Sequence, residues 1–82
     1  MIIQIIASAN GNKDYFHKTR SNASKRAIND EVARLQIQLK NMLNAQNQNP
    51  VFEFQDDDIG EVLINVQSYN FIVVRAIEDH VM

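Results

Sequence analysis

Apolar positions recur along this chain with two different periods, and the changes between them mark its elements. In residues 2–7, Ile3, Ile5 and Ala7 fall on one side of an extended backbone and Ile2, Gln4 and Ile6 on the other. Side chains alternate along a strand. Apolar groups on both sides therefore predict an interior strand, or one covered on its second face by a partner. Residues 8–20 follow as a loop. Asn10-Gly11 turns easily, and Lys13-Asp14-Tyr15-Phe16-His17-Lys18-Thr19-Arg20 is basic and aromatic with no clear period.

From residue 21 to about residue 48 the period lengthens to that of a helix. Ile28, Val32, Leu35, Leu39 and Met42 are spaced by 4, 3, 4 and 3, which sets all five on one stripe. Leu43 widens the stripe, and Ile37 falls off it, one turn after Ala33. Ser21, Asn22 and Ser24 are all acceptable N-caps. The Asn/Gln-rich residues 44–49 end the helix, and Pro50 forces Asn49 to be extended. The stripe covers only about two heptads, too few to argue for a coiled coil. It is core, and the strands need it as a cover.

Alternation then returns three times. Residues 51–55 place Phe52 and Phe54 on one face. Residues 61–67 place Val62, Ile64 and Val66 opposite Leu63, Asn65 and Gln67. Residues 71–77 place Ile72, Val74 and Ala76 opposite Phe71, Val73 and Arg75. Asp56-Asp57-Asp58-Ile59-Gly60 is a turn, residues 67–70 a tight connection and residues 78–82 a tail. The expected fold is a single α+β domain of residues 1–82, ordered β-α-β-β-β. One long helix packs on one face of a mainly antiparallel four-stranded sheet, whose last three strands form a meander. A first strand running parallel to its neighbour would be reached by a right-handed crossover. The open face would carry Leu63, Phe71 and Val73. With Ile37 on the helix, these are candidate oligomer contacts, and a homodimer is the simplest use of them.

Composition narrows the class. A chain of 82 residues buries only roughly 60–65% of its unfolded surface, so the core must be compact. No apolar run reaches the ~20 residues that cross a bilayer, and the start lacks the basic leader of a signal peptide. The absence of Cys removes disulfides, thiolate nucleophiles and cysteine-based zinc sites. A cytoplasmic protein is expected. Net charge is −2, but unevenly divided. Residues 1–49 hold seven Lys/Arg against three Asp/Glu, a balance of +4; residues 50–82 hold one Arg against seven Asp/Glu, a balance of −6. Either surface can be the working one.

Catalytic equipment is sparse. His17 has Asp14 nearby in sequence and His80 has Asp79, but a general base needs a positioned partner and a pocket. Both histidines read as solvated, and no enzyme, metal or cofactor is expected. Three consecutive aspartates point alternate ways and do not easily chelate one cation. Glu53, Asp56, Asp57, Asp58 and Glu61, extended by Glu78 and Asp79, instead form a candidate partner-binding face. Such a face imitates the phosphate track that a nucleic-acid-binding protein expects. The alternative is an anion or nucleotide site at the helix start. There Lys18, Arg20, Lys25 and Arg26 would add to the backbone N–H groups and the helix dipole. The same cluster, with Tyr15 and Phe16, would suit single-stranded RNA or DNA by charge plus stacking. The sequence pI of about 5.5 weighs against a general nucleic-acid binder, and no phosphate-binding P-loop is present.

The opening Ile5-Ile6-Ala7-Ser8-Ala9-Asn10-Gly11, followed by a polar, basic helix, resembles the start of some small anti-CRISPR proteins of phages and mobile elements. The general build is similar too: one helix, a short meander, a clustered acidic turn. The resemblance implies a stoichiometric inhibitor of a nucleic-acid-handling complex, acting by occlusion or charge mimicry. It carries over no functional residue, because the matching stretch holds no motif.

Overall fold

In the computed structural model, residues 1–44 and 50–78 are described. The expected polar end of the helix at residues 45–49, and the tail from Asp79 with His80, lie outside them. The elements run β1 (Ile2–Ala9), β2 (Asn12–Thr19), α1 (Lys25–Asn44), β3 (Val51–Asp56), β4 (Gly60–Asn65), a 3₁₀ turn (Val66–Ser68) and β5 (Phe71–Ile77). The fold is α+β, with one helix and antiparallel sheets.

The expected single four-stranded sheet and its β-α-β-β-β order require correction. Among the described residues five strands form two sheets, one ordered β2-β1-β5 and the other β3-β4. The stretch read as a loop contains β2. Asn10 (φ 54°) and Gly11 (φ 83°) both sit at positive φ, as a two-residue hairpin turn requires. They fold β2 back onto β1 in register from Ile2↔Thr19 to Ala9↔Asn12. The expected meander also fails. β4 pairs with β3, from Val51↔Asn65 to Asp56↔Gly60, but β5 leaves them to pair antiparallel with β1, from Ile2↔Ile77 to Ser8↔Phe71. The 3₁₀ turn starts this departure: Asn65 caps it by accepting from the Gln67 N–H at 3.0 Å. Asn70 then ties β5 to the first hairpin. Its N–H donates to the Ser8 carbonyl at 2.7 Å, and its side-chain oxygen accepts from Asn10 N–H at 3.0 Å. β1 is thus the central strand with antiparallel neighbours on both sides, and no parallel crossover exists among the described residues.

The helix begins as its sequence requires. Of the three candidates Ser24 is the cap: its Oγ accepts from Ala27 N–H at 3.1 Å, and its carbonyl accepts from Ile28 N–H at 3.1 Å. Ile28, Val32 and Leu39 of the stripe are buried; Leu35 and Met42 pack partly buried against the same core. Facing them are Ile3, Ile5 and Ala7 of β1, Val74 of β5, and the inward sides of β3 and β4, namely Phe52, Phe54, Val62 and Ile64. The two sheets are joined by aromatic contact. Phe16 of β2 meets Phe54 edge-on with ring centroids 4.9 Å apart, and Phe54 meets Phe52 at 5.3 Å. Gln36, on the exposed side of the helix, donates from Nε2 to the Val74 carbonyl of β5 at 2.8 Å.

Candidate functional site

The acidic turn is built into the fold. Asp56 Oδ1 accepts the His17 N–H at 2.8 Å, and Asp56 Oδ2 accepts the N–H groups of Asp58 and Ile59 at 2.9 and 3.0 Å. Asp57 Oδ2 accepts both the N–H and the hydroxyl of Thr19, at 2.8 and 2.6 Å. The Asp57 N–H donates to the His17 carbonyl at 2.8 Å. The turn therefore lies along the outer edge of β2, and its first two carboxylates supply acceptors to that edge. The His17 backbone bond foremost, with those from Ile59 and Asp58, holds the Asp56 carboxyl below its ordinary value, because each favours the ionised form. Of the five candidate acidic residues, Glu53, Asp58 and Glu61 present carboxylates not used this way.

Those three belong to an exposed hairpin face. Glu53 lies directly across from Leu63 and Gln55 from Glu61, so all four point outward while Phe52, Phe54, Val62 and Ile64 point in. Leu63 is 59% exposed and Ile59, in the turn, 64%. No Lys or Arg occurs from Pro50 to Asn70. This surface is carboxylate and aliphatic, with no cation of its own.

The basic helix start is arranged differently. Glu31, with a side chain only 12% exposed, accepts an ion pair from Lys18 at 3.2 Å and another from Arg20. Two of the four candidate anion-binding cations thereby share one internal carboxylate. Lys25 and Arg26 remain exposed in the first helical turn.

A third surface is the outward face of the β2-β1-β5 sheet. Cross-strand register places Lys13, Ser8 and Phe71 in one row, Tyr15, Ile6 and Val73 in the next, His17, Gln4 and Arg75 in the third, and Thr19, Ile2 and Ile77 in the last. Tyr15 is 53% exposed and Phe71 45%. The third row is hydrogen-bonded across all three strands. Arg75 Nε donates to Gln4 Oε1 at 2.7 Å, and Gln4 Nε2 lies 3.0 Å from His17 Nε2. Gln4 itself is buried. His17, expected to be solvated with Asp14 near it in sequence, is half-buried, and its side-chain partner is Gln4. The signal that would have found half of this face was Asn10-Gly11, which sets the register aligning His17 with Gln4; Arg75 joins them only through the pairing of β5 with β1.

The candidate oligomer contacts are dispersed. Ile37 is exposed on the helix, Leu63 on the β3-β4 hairpin and Phe71 on the three-stranded sheet. A cleft of about 370 Å³ lies between α1, β2 and β3, with Phe16, Phe54 and Leu35 among its walls and Lys18, Glu31, Arg34 and Glu53 on it. Its charges are of both signs. Among the described residues no group of three or more His, Asp or Glu is placed to hold a metal ion, and no helix is long and apolar enough to cross a membrane. No known family model, curated protein or solved structure matches the chain.

Proposed function

We propose that the chain is a stoichiometric, non-enzymatic binding protein that docks its β3-β4 hairpin onto the nucleic-acid-binding surface of a partner complex and occludes it. The observation that carries this reading is the outward hairpin face, where Glu53 and Glu61 flank exposed Leu63, with Asp58 and exposed Ile59 in the adjoining turn, on a segment from Pro50 to Asn70 that holds no Lys or Arg. A protein surface evolved to hold phosphates is rich in Lys and Arg. Glu53 and Glu61 are diagonal neighbours on the two strands, roughly 7–8 Å apart, a spacing that basic side chains can follow as they follow a charged backbone. Leu63 adds exposed apolar area between the two glutamates and Ile59 adds more at the hairpin tip, and apolar anchors carry much of the energy of an interface. The resemblance to anti-CRISPR proteins points to RNA-guided defence complexes of the cytoplasm as the partner class, and to a phage-type inhibitor as the role.

The test is a mobility-shift assay of target DNA with reconstituted RNA-guided effector complexes, with and without an equimolar amount of the protein. The expected result is loss of DNA binding by at least one effector, restored when Glu53→Lys, Asp58→Lys and Glu61→Lys are combined. Equal inhibition by that variant overturns the hairpin as the contact. No inhibition of any effector overturns the reading.

A further inference from the structure

The outward face of the β2-β1-β5 sheet has a chemistry opposite to that of the hairpin. In a chain with ten carboxylates, none of the outward positions of these three strands is acidic, while Lys13 and Arg75 are cationic. The nearest acids in the turn, Asp56 and Asp57, lie at the edge of β2 with oxygens already accepting from His17 and Thr19. Arg75 is held by its Nε on Gln4, which leaves its terminal nitrogens without a hydrogen bond or ion pair among the described residues. Two aromatic rings stand on the same face, Tyr15 on one outer strand and Phe71 on the other. They are separated by two strand spacings and one row, on the order of 12 Å between Cα atoms. Rings so placed can each take one splayed base, not a stacked pair. Cations that follow a backbone, together with exposed rings that stack on bases, are the two components of single-strand recognition.

We infer that this sheet face binds a single-stranded oligonucleotide, with Tyr15 and Phe71 stacking on bases and Lys13 and Arg75 facing the phosphates. The hairpin is not involved, so the inference stands or falls apart from the proposed inhibitory role.

Fluorescence anisotropy with fluorescein-labelled uridine and thymidine homopolymers of equal length tests it. One or both should bind more tightly than the ~10⁻⁴ M reached by weak non-specific contacts. Tyr15→Ala and Phe71→Ala should each weaken binding about fivefold to a hundredfold, as expected for loss of one stacked base. The log–log salt slope should be about −1.4 for two phosphates, falling by ~0.7 in Lys13→Gln. Both aromatics are exposed, so circular dichroism of these variants should match the parent. The Glu53/Asp58/Glu61 charge reversal should leave the Tyr15 and Phe71 dependence intact. Three results would overturn the inference: no binding of either strand, equal affinity for a duplex, or alanine variants that bind as the parent does. A concentration-dependent dimer dissolved by Tyr15→Ala in sedimentation would assign the face to a second copy of the chain and would overturn it too.

Discussion

Arg75 Nε donates to Gln4 Oε1 at 2.7 Å, and that bond decides the tautomer of His17. Arg75 has only donors to offer, so the oxygen of the Gln4 amide must face it. The amide nitrogen must then face His17 Nε2, 3.0 Å away. An NH₂ group donates, so His17 Nε2 accepts and the ring proton of the neutral imidazole resides on Nδ1. Long-range ¹H–¹⁵N correlation spectra should therefore show His17 as the Nδ1–H tautomer. Gln4→Met should release that preference. An Nε2–H ring in the parent protein would show that the relay is not formed.

Asp56 accepts three backbone N–H groups. Removing its carboxyl with Asp56→Ala should cost about 0.5–1.5 kcal/mol, the net worth of an ordinary hydrogen bond, because water reaches the freed N–H groups of Asp58 and Ile59. The pH dependence follows from the direction of the shift. The folded-state carboxyl is held below the ordinary 3.8. Its contribution is thus fully present above that value and is lost as pH falls through the lower folded-state value. Thermal melts of the parent and Asp56→Asn should differ near neutral pH and converge in strong acid. A gap that widens on acidification would contradict this assignment.

The two isoleucines of the helix test its orientation. Ile28 is 0% exposed and Ile37 58%. Ile28→Ala should lose ~2–5 kcal/mol, whereas Ile37→Ala should stay within about 0.5 kcal/mol. Urea denaturation of the two variants measures both. Comparable losses would mean that Ile37 is covered in solution.

Lys25 and Arg26 stand at the positive end of the helix dipole, and the first turn has no acid. Lys25→Glu and Arg26→Glu should each stabilise the protein by about 0.3–1 kcal/mol at low ionic strength. Thermal melts in low and high salt should show the gain shrinking as salt screens it.

The elements whose signals are local were readable from the sequence. The helix declared itself through the 4-3-4-3 spacing from Ile28 to Met42, and β1, β3, β4 and β5 through alternation. β2 did not, because an edge strand with one half-buried ring has little pattern to show: Phe16 is its only inward aromatic, set among Lys13, Asp14, Lys18 and Thr19. Asn10-Gly11 carried the missing information, since two successive residues with easy access to positive φ specify a hairpin. The pairing of β5 with β1 has no local signature. It depends on contacts such as Ile5↔Val74, nearly the whole chain apart, and on a 3₁₀ turn that reads in sequence like any tight connection. The site was legible in the same degree. Charge division pointed to two opposed surfaces, but Lys18 and Arg20 are paired with Glu31, which leaves Lys25 and Arg26 as the unpaired cations of the helix start among the described residues, and the cations of the sheet face, Lys13 and Arg75, were not singled out.

The contact between Gln36 and the Val74 carbonyl acquires a consequence once both sides of the three-stranded sheet are considered together. β2 and β5 are its outermost strands, and an outermost strand presents unmatched backbone groups that invite another chain to continue the sheet. Asp56 and Asp57 occupy that position beside β2, and Gln36 reaches across to occupy it beside β5. Single side chains from outside the sheet thus act as stoppers at both ends. Removing Gln36 would leave the Val74 carbonyl open to a strand of another chain, a hazard that the protein's stability alone would not reveal.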